Sequence, residues 1–161
     1  MLRIFLIIRI FIFGGVAARC KILVIAMQDA REKKKKWLGI LLSRLLERYG
    51  NFISPLAQID RSVLFPHPTA IVIGQGVVIG NGVRIYQGVT LGGRVIGDEQ
   101  HGHYPNIGKN TVVFSGAVIL GSVCVGENCV IGANAVVISD VPDNCVAVGV
   151  PARSITPSRT T

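Results

Sequence analysis

From Ile73 onward the chain places an aliphatic residue at every sixth position: Ile73, Ile79, Ile85 and Leu91. After a gap the register resumes with Ile107, Val113, Ile119, Val125, Ile131 and Val137. Four positions after most of these stands a second small or apolar residue, first Val77, Val83 and Val89, then Thr111, Ala117, Val123, Cys129, Ala135 and Val141. The pattern runs backward, more weakly, through Ile71, Phe65 and Ile59. Neither strand alternation nor a helical period holds this phase for so long. A six-residue period is a short strand followed by a turn. Three such units make one triangular coil, and coils stack at the inter-strand spacing of about 4.8 Å. The aliphatic positions point inward, while Gly, Asn and Asp suit the corner dihedrals. The spacing predicts an all-β solenoid over residues 53–148, with roughly four coils between 55 and 142.

The phase fails between Leu91 and Ile107, sixteen residues apart. The stretch "GGRVIGDEQHGHYPN" therefore leaves the prism as an excursion loop over 92–106. Loops on a rigid scaffold often carry function. The three histidines fall in this loop or shortly before it: His67, His101 and His103. His67 stands on the phase 67, 73, 79, 85, 91, so an inward position is expected for it. A neutral imidazole, with an ordinary pKa near 6.5, suits the removal of a hydroxyl proton at neutral pH.

Residues 1–52 have another texture, apolar and basic. Trp37, Ile40, Leu41, Leu45 and Leu46 lie near helical spacing, with Gly50 as the stop. The segment "MLRIFLIIRIFIFGGVAARCKILVIAM" is interrupted by Arg3, Arg9, Arg19 and Lys21, so it offers no uncharged span of about 18 residues. Three readings stand for it: a helix packed on protein, a membrane-surface contact, and a signal peptide. The net charge is +8. Residues 1–50 hold eleven Lys/Arg against three Asp/Glu, and the remainder holds six of each, so the whole excess lies in the N-terminal third. Basic residues interleaved with aromatics are absent, which argues against nucleic acid as a partner. The Lys33–Lys36 run is either a solvated face or a contact for anionic lipid. Cys20, Cys124, Cys129 and Cys145 form no C-x-x-C pair, which argues against zinc and for packed, reduced thiols in the cytoplasm.

The repeats, "HPTAIVIG", "QGVTLGG", the histidine loop and "DNCVAVGVPARSI" together resemble the hexapeptide-repeat acyltransferases over about residues 53–155. Within them the serine acetyltransferase type is the nearest likeness. The resemblance implies a left-handed parallel β-helix with a short α-helical N-terminal region, a crossover sense opposite to the usual one. It also implies a homotrimer with active sites between subunits and acetyl-CoA as donor, with no metal. His67 matches the catalytic histidine and His103 the second active-site histidine, with His101 as its competitor. His103-Tyr-Pro carries one residue more before the proline than the family pattern. Acyl-CoA contacts carry over to Gly93, Ser115, Ala133 and Arg153. Residues 149–161 are left as a C-terminal tail.

Two family aspartates are replaced, by Phe52 fifteen residues before His67 and by Pro66 directly before it. Asp98 or Glu99 is a candidate substitute for the aspartate that orients His67. The implied acceptor is L-serine, as in cysteine biosynthesis. The alternatives are a sugar hydroxyl of a surface polysaccharide or its lipid-linked precursor, met at the inner membrane face, and a non-catalytic scaffold.

Overall fold

Two residues of each hexapeptide form a strand, and the turn after them bends the chain onto the next face. The computed structural model of the protein describes residues 14–156. One face stacks β1 (Phe52–Ile53), β3 (Val72–Ile73), β6 (Thr90–Gly92), β9 (Val118–Leu120) and β12 (Val136–Val137), in that order. The second stacks β2 (Gln58–Ile59), β4 (Val78–Ile79), β7 (Asn106–Ile107) and β10 (Cys124–Val125). The third stacks β5 (Arg84–Ile85), β8 (Val112–Val113), β11 (Val130–Ile131) and β13 (Val146–Gly149). Isolated bridges from Leu64 to Arg84 and from Val141 to Val125 complete the first and last coils. These pairings are parallel. Among the described residues β14 (Ala152–Ile155) alone turns back, antiparallel along β13, within the expected C-terminal tail.

In each strand from β1 to β13 the second residue is the buried one. The ten aliphatic positions of the repeat all lie in the core, stacked as Ile73–Leu91–Ile119–Val137 on one face and likewise on the others. Thr111, the polar member of the companion series, is also buried. Its hydroxyl donates to Gly126 O at 2.8 Å and accepts from Cys129 N at 3.0 Å. Five coils are present against the four expected, because the first begins at Phe52 and the last continues past Val137.

The registers locate the irregularities. Ile73 pairs with Leu91 and Ile107 with Val125, eighteen residues on in each case. Ile53 pairs with Ile73, twenty residues on, and Ile79 with Ile107, twenty-eight on. Two residues are thus added at the corner that holds His67, and ten in the loop before β7. The first addition corrects the expected placement of His67. The inward side chains of the first coil are Val63 and Phe65, and the lengthened corner leaves His67 exposed outside the prism.

Helices α1 (Val16–Glu32) and α2 (Lys36–Glu47) cover the first coil. Cys20, Leu23, Val24 and Met27 recur at helical spacing and form the buried side of α1. Burial pushes the Cys20 thiol up to about 12. The upper edge of β2 has no strand above it, and Gln28 replaces one. Its Nε2 donates to Ala57 O at 3.2 Å, and its Oε1 accepts from Ile59 N at 3.3 Å. Ser43 Oγ donates to Ile53 O at 3.0 Å and does the same for β1. On α2 the side toward the prism is Gly39, Ser43 and Leu46, and a Cβ on Gly39 would lie 3.2 Å from Pro55 Cβ. Trp37, Ile40 and Leu41 of the predicted apolar stripe remain exposed. The packed-helix reading thus holds for residues 16–32, while residues 1–13 lie outside the described residues. Among the described residues no helix is long and apolar enough to cross a membrane.

Gln28→Ala leaves a buried carbonyl and a buried N–H unpaired. At about 1–3 kcal/mol for each of the two groups, the expected loss is roughly 2–6 kcal/mol of stability. Denaturant unfolding checks it, and Gln28→Glu should recover only the bond from Ile59 N.

Candidate active site

The lengthened corner reads Pro66-His67-Pro68-Thr69-Ala70. Pro68 restricts His67 to extended backbone, and both prolines limit how the corner can relax. Thr69 N donates to His67 O at 2.9 Å, and Ala70 takes a left-handed φ of 54°. Asn51, fully buried, ties this corner to the helical cap. Its Nδ2 donates to Pro68 O at 2.9 Å and Tyr49 O at 3.1 Å, and its Oδ1 accepts from Ile71 N at 3.2 Å. The sequence signals Asn51 only as a polar residue directly after the glycine that stops α2.

His67 borders a cavity of about 360 Å³ formed with Gly15, Val16, Ala17, Pro66, Pro68 and Thr69. Below it on the same corner, Tyr86 lies 6.1 Å away between ring centroids, and Phe114 stacks on Tyr86 at 5.2 Å. Ser115 and Ala133 continue this corner into the next coils, with Asn134 N donating to Ser115 O at 2.9 Å. Arg153 is exposed on β14, opposite Val148. Of the residues expected to contact acyl-CoA, Ser115 and Ala133 therefore share the corner of His67.

Gly93, His101 and His103 belong to a different corner, between the first and second faces. The loop there folds around Asp98, which opens the short helix α3 (Asp98–His101) and is buried. Asp98 Oδ2 accepts from Arg94 N at 2.5 Å and Val95 N at 2.9 Å, and Oδ1 lies 3.1 Å from His103 Nδ1. The N–H of Val95, with those of Arg94 and His103, holds this carboxyl below the usual range against the opposing effect of burial. An ionised carboxylate only accepts, so Nδ1 of His103 carries a proton in this contact. A Cβ on Gly93 would lie 2.7 Å from Asp98 Cβ, so the turn requires glycine there.

Tyr104, the additional residue before the proline, lays its ring over Gly74 and Gly76, where a Cβ at Gly74 would approach its Cε1 to 2.7 Å. His101 bonds Gly97 O through Nδ1 at 3.0 Å and stacks on His103 at 5.6 Å. Asp98 is therefore committed to the loop and His103, which corrects its expected service to His67. The Glu99 side chain lies outside the described residues. Phe52 is exposed and Pro66 lines the His67 cavity, so neither position offers a carboxylate.

Comparison with known proteins supplies the family context. The family description "Bacterial transferase hexapeptide (six repeats)" matches residues 104–139. The chain is similar to the serine acetyltransferase of Helicobacter pylori, at 40% identity over 123 residues, covering 73% of this chain and 71% of that protein. It is 43% identical to that of Synechococcus elongatus over 114 residues, covering 71% of this chain and 45% of that protein. Among solved structures, a serine acetyltransferase in complex with CoA gives a TM-score of 0.71 at 37% identity, over 80% of this chain and 52% of that one. The soybean enzyme complexed with serine gives 0.71 at 38% identity, over 80% and 53%. The chain spans about half the length of these solved structures and of the Synechococcus relative.

Asp98→Ala removes the acceptor around which the loop folds and should open the Arg94 bond to trypsin while the prism keeps its melting temperature. The pH dependence has a fixed sign. Because the folded carboxyl lies below its unfolded value of about 3.9, its contribution is complete above that value. It is lost as the pH falls through the depressed one. Trypsin susceptibility cannot be read at such pH, so pepsin cleavage of the loop near pH 2–3 is the measurement.

Proposed function

Since the chain belongs to the serine acetyltransferase family, we propose that it transfers the acetyl group of acetyl-CoA to an acceptor hydroxyl, with L-serine as the nominal acceptor. The supporting observation is the division of the expected site residues between two corners. His67, Ser115 and Ala133 lie on one, Gly93 and His103 on the other. A site that uses both histidines then needs two copies of the chain. A left-handed parallel β-helix closed as a homotrimer supplies them, with the His67 corner of one subunit against the loop corner of the next.

In this reading His67 takes the proton of the acceptor hydroxyl, and the oxygen attacks the thioester carbonyl. The tetrahedral intermediate collapses, the C–S bond breaks, and the imidazolium returns its proton to the departing thiolate. Asp98 fixes the tautomer of His103, which faces the acceptor through Nε2. Arg153 meets the phosphates of CoA as a charged donor, and the corner through Ser115 and Ala133 holds its pantetheine arm. No enzyme thiol is needed as a nucleophile. Cys20 is buried with its pKa raised, and Cys129 Sγ is bonded to Pro142 O at 3.0 Å.

One observation favours a second acceptor. Apart from His67 itself, the residues of this chain that line the cavity have no ionisable side chain, so they offer an ammonium or carboxylate no charged partner. An uncharged hydroxyl, such as that of a sugar, fits this wall better than an amino acid. The cytoplasm is the proposed location, with contact to its membrane face as an extension of the same reading.

Thiol release from acetyl-CoA with a panel of serine and neutral sugars tests the reading. His67→Ala should lower turnover by about 10²–10⁴-fold. Light scattering should give about three times 17.2 kDa for wild type and variant alike. Equal turnover in the two proteins defeats the assignment of His67, and absence of thiol release with every acceptor of the panel points to a scaffold or an untried hydroxyl.

A further inference from the structure

Helix α2 turns Gly39, Ser43 and Leu46 inward and leaves Trp37, Ile40 and Leu41 outside. Trp37, Ile40 and Leu41 are 68%, 48% and 49% exposed, and Leu56 of the first coil, beside Ile40, is 54% exposed. Residues three and four apart share one side of a helix, so Trp37, Ile40 and Leu41 form one surface. Arg31, Lys34, Lys35 and Lys36 adjoin it and, with Ile40 and Leu56, border a cavity of about 430 Å³. The nearby acids are engaged elsewhere, since Asp29 and Glu32 both pair with Arg61, at 2.6 and 2.8 Å. The result is a cationic rim around an apolar surface that carries the protein's one tryptophan.

We propose that this helical end of the prism docks on an anionic lipid bilayer. Charge selects the occupant. A second copy of the same surface would set its cations against like charges, whereas acidic headgroups complement the lysines and the bilayer interface accepts Trp37, Ile40 and Leu41. The position on the fold gives the contact a use. The two helices cover the first coil, the coil that leads into the His67 corner, and Gly15, Val16 and Ala17 at the start of α1 wall the His67 cavity. A bilayer at this end therefore lies beside the acceptor pocket, and a hydroxyl carried on a lipid reaches the base without leaving the surface. This last step rests on the acetyl-transfer reading, but the docking itself does not.

The test uses the full chain with vesicles of phosphatidylcholine alone or with roughly a third phosphatidylglycerol. The expected result is co-sedimentation with the anionic vesicles only, reversed by high salt, with a blue shift of Trp37 fluorescence and its quenching by brominated lipid. Changing Lys33, Lys34, Lys35 and Lys36 to Gln should weaken vesicle binding about a hundredfold at low salt and leave thiol release with a soluble acceptor unchanged. Absence of binding to anionic vesicles overturns the proposal. So does binding that the four-lysine variant keeps in full, or binding that leaves Trp37 unquenched, since residues 1–13 would then suffice. Thiol release measured on the same samples separates failure of docking from failure of the acetyl-transfer reading.

Discussion

Each coil of this prism must return to the starting face directly beneath its own first strand; eighteen residues do that in the regular coils, and sixteen in the last, where Val125 pairs with Val141 and Val130 with Val146. Strands of two residues have almost no stability alone, so they persist only where the next coil accepts their hydrogen bonds in register. Extra residues cannot be absorbed along a face without breaking the register of its strand with those above and below. They can only be expelled at a corner. The chain does this twice, with two residues beside His67 and ten before β7. Both expulsions carry histidines. The regular part of the sequence thus builds the support, and its two insertions place the histidines.

That division governs what could be read in advance. The inward aliphatics from Ile73 to Val137 were legible because a solenoid repeats one environment, and every one of them is buried. His67 was legible as an anomaly but misplaced. The six-residue phase was extended across a corner that had gained two residues, and a period alone cannot show where a turn has lengthened. The service of Asp98 to His103 was hidden for a different reason, because it depends on the loop doubling back at Gly93 to bring two backbone N–H groups onto one carboxylate. On α2 the spacing of Trp37, Ile40 and Leu41 was correct as a helix signal. The spacing did not show which side meets the prism, which is that of Leu46 with Gly39 and Ser43, whose small size allows close approach to Pro55 and Ile53.

The two histidine corners are held in unlike ways. His67 sits on backbone restrained by prolines and by a buried asparagine, so its position follows that of the helical cap. His103 sits on a loop gathered by one carboxylate and pinned by Tyr104 against glycines of the coil above. Substitution at Gly74 or Gly76, far from the loop in sequence, therefore acts on His103 through the ring that covers them.

The ends of the stack have a consequence of their own. A column of parallel strands is a template at either terminus, since an exposed edge can recruit the edge of another molecule and so grow into a fibre. Here one end is finished by the side-chain amide of Gln28 and the hydroxyl of Ser43, and on the third face β14 lies along β13. These few groups give a repeating sequence a definite length and keep the column from polymerising at its most adhesive edges.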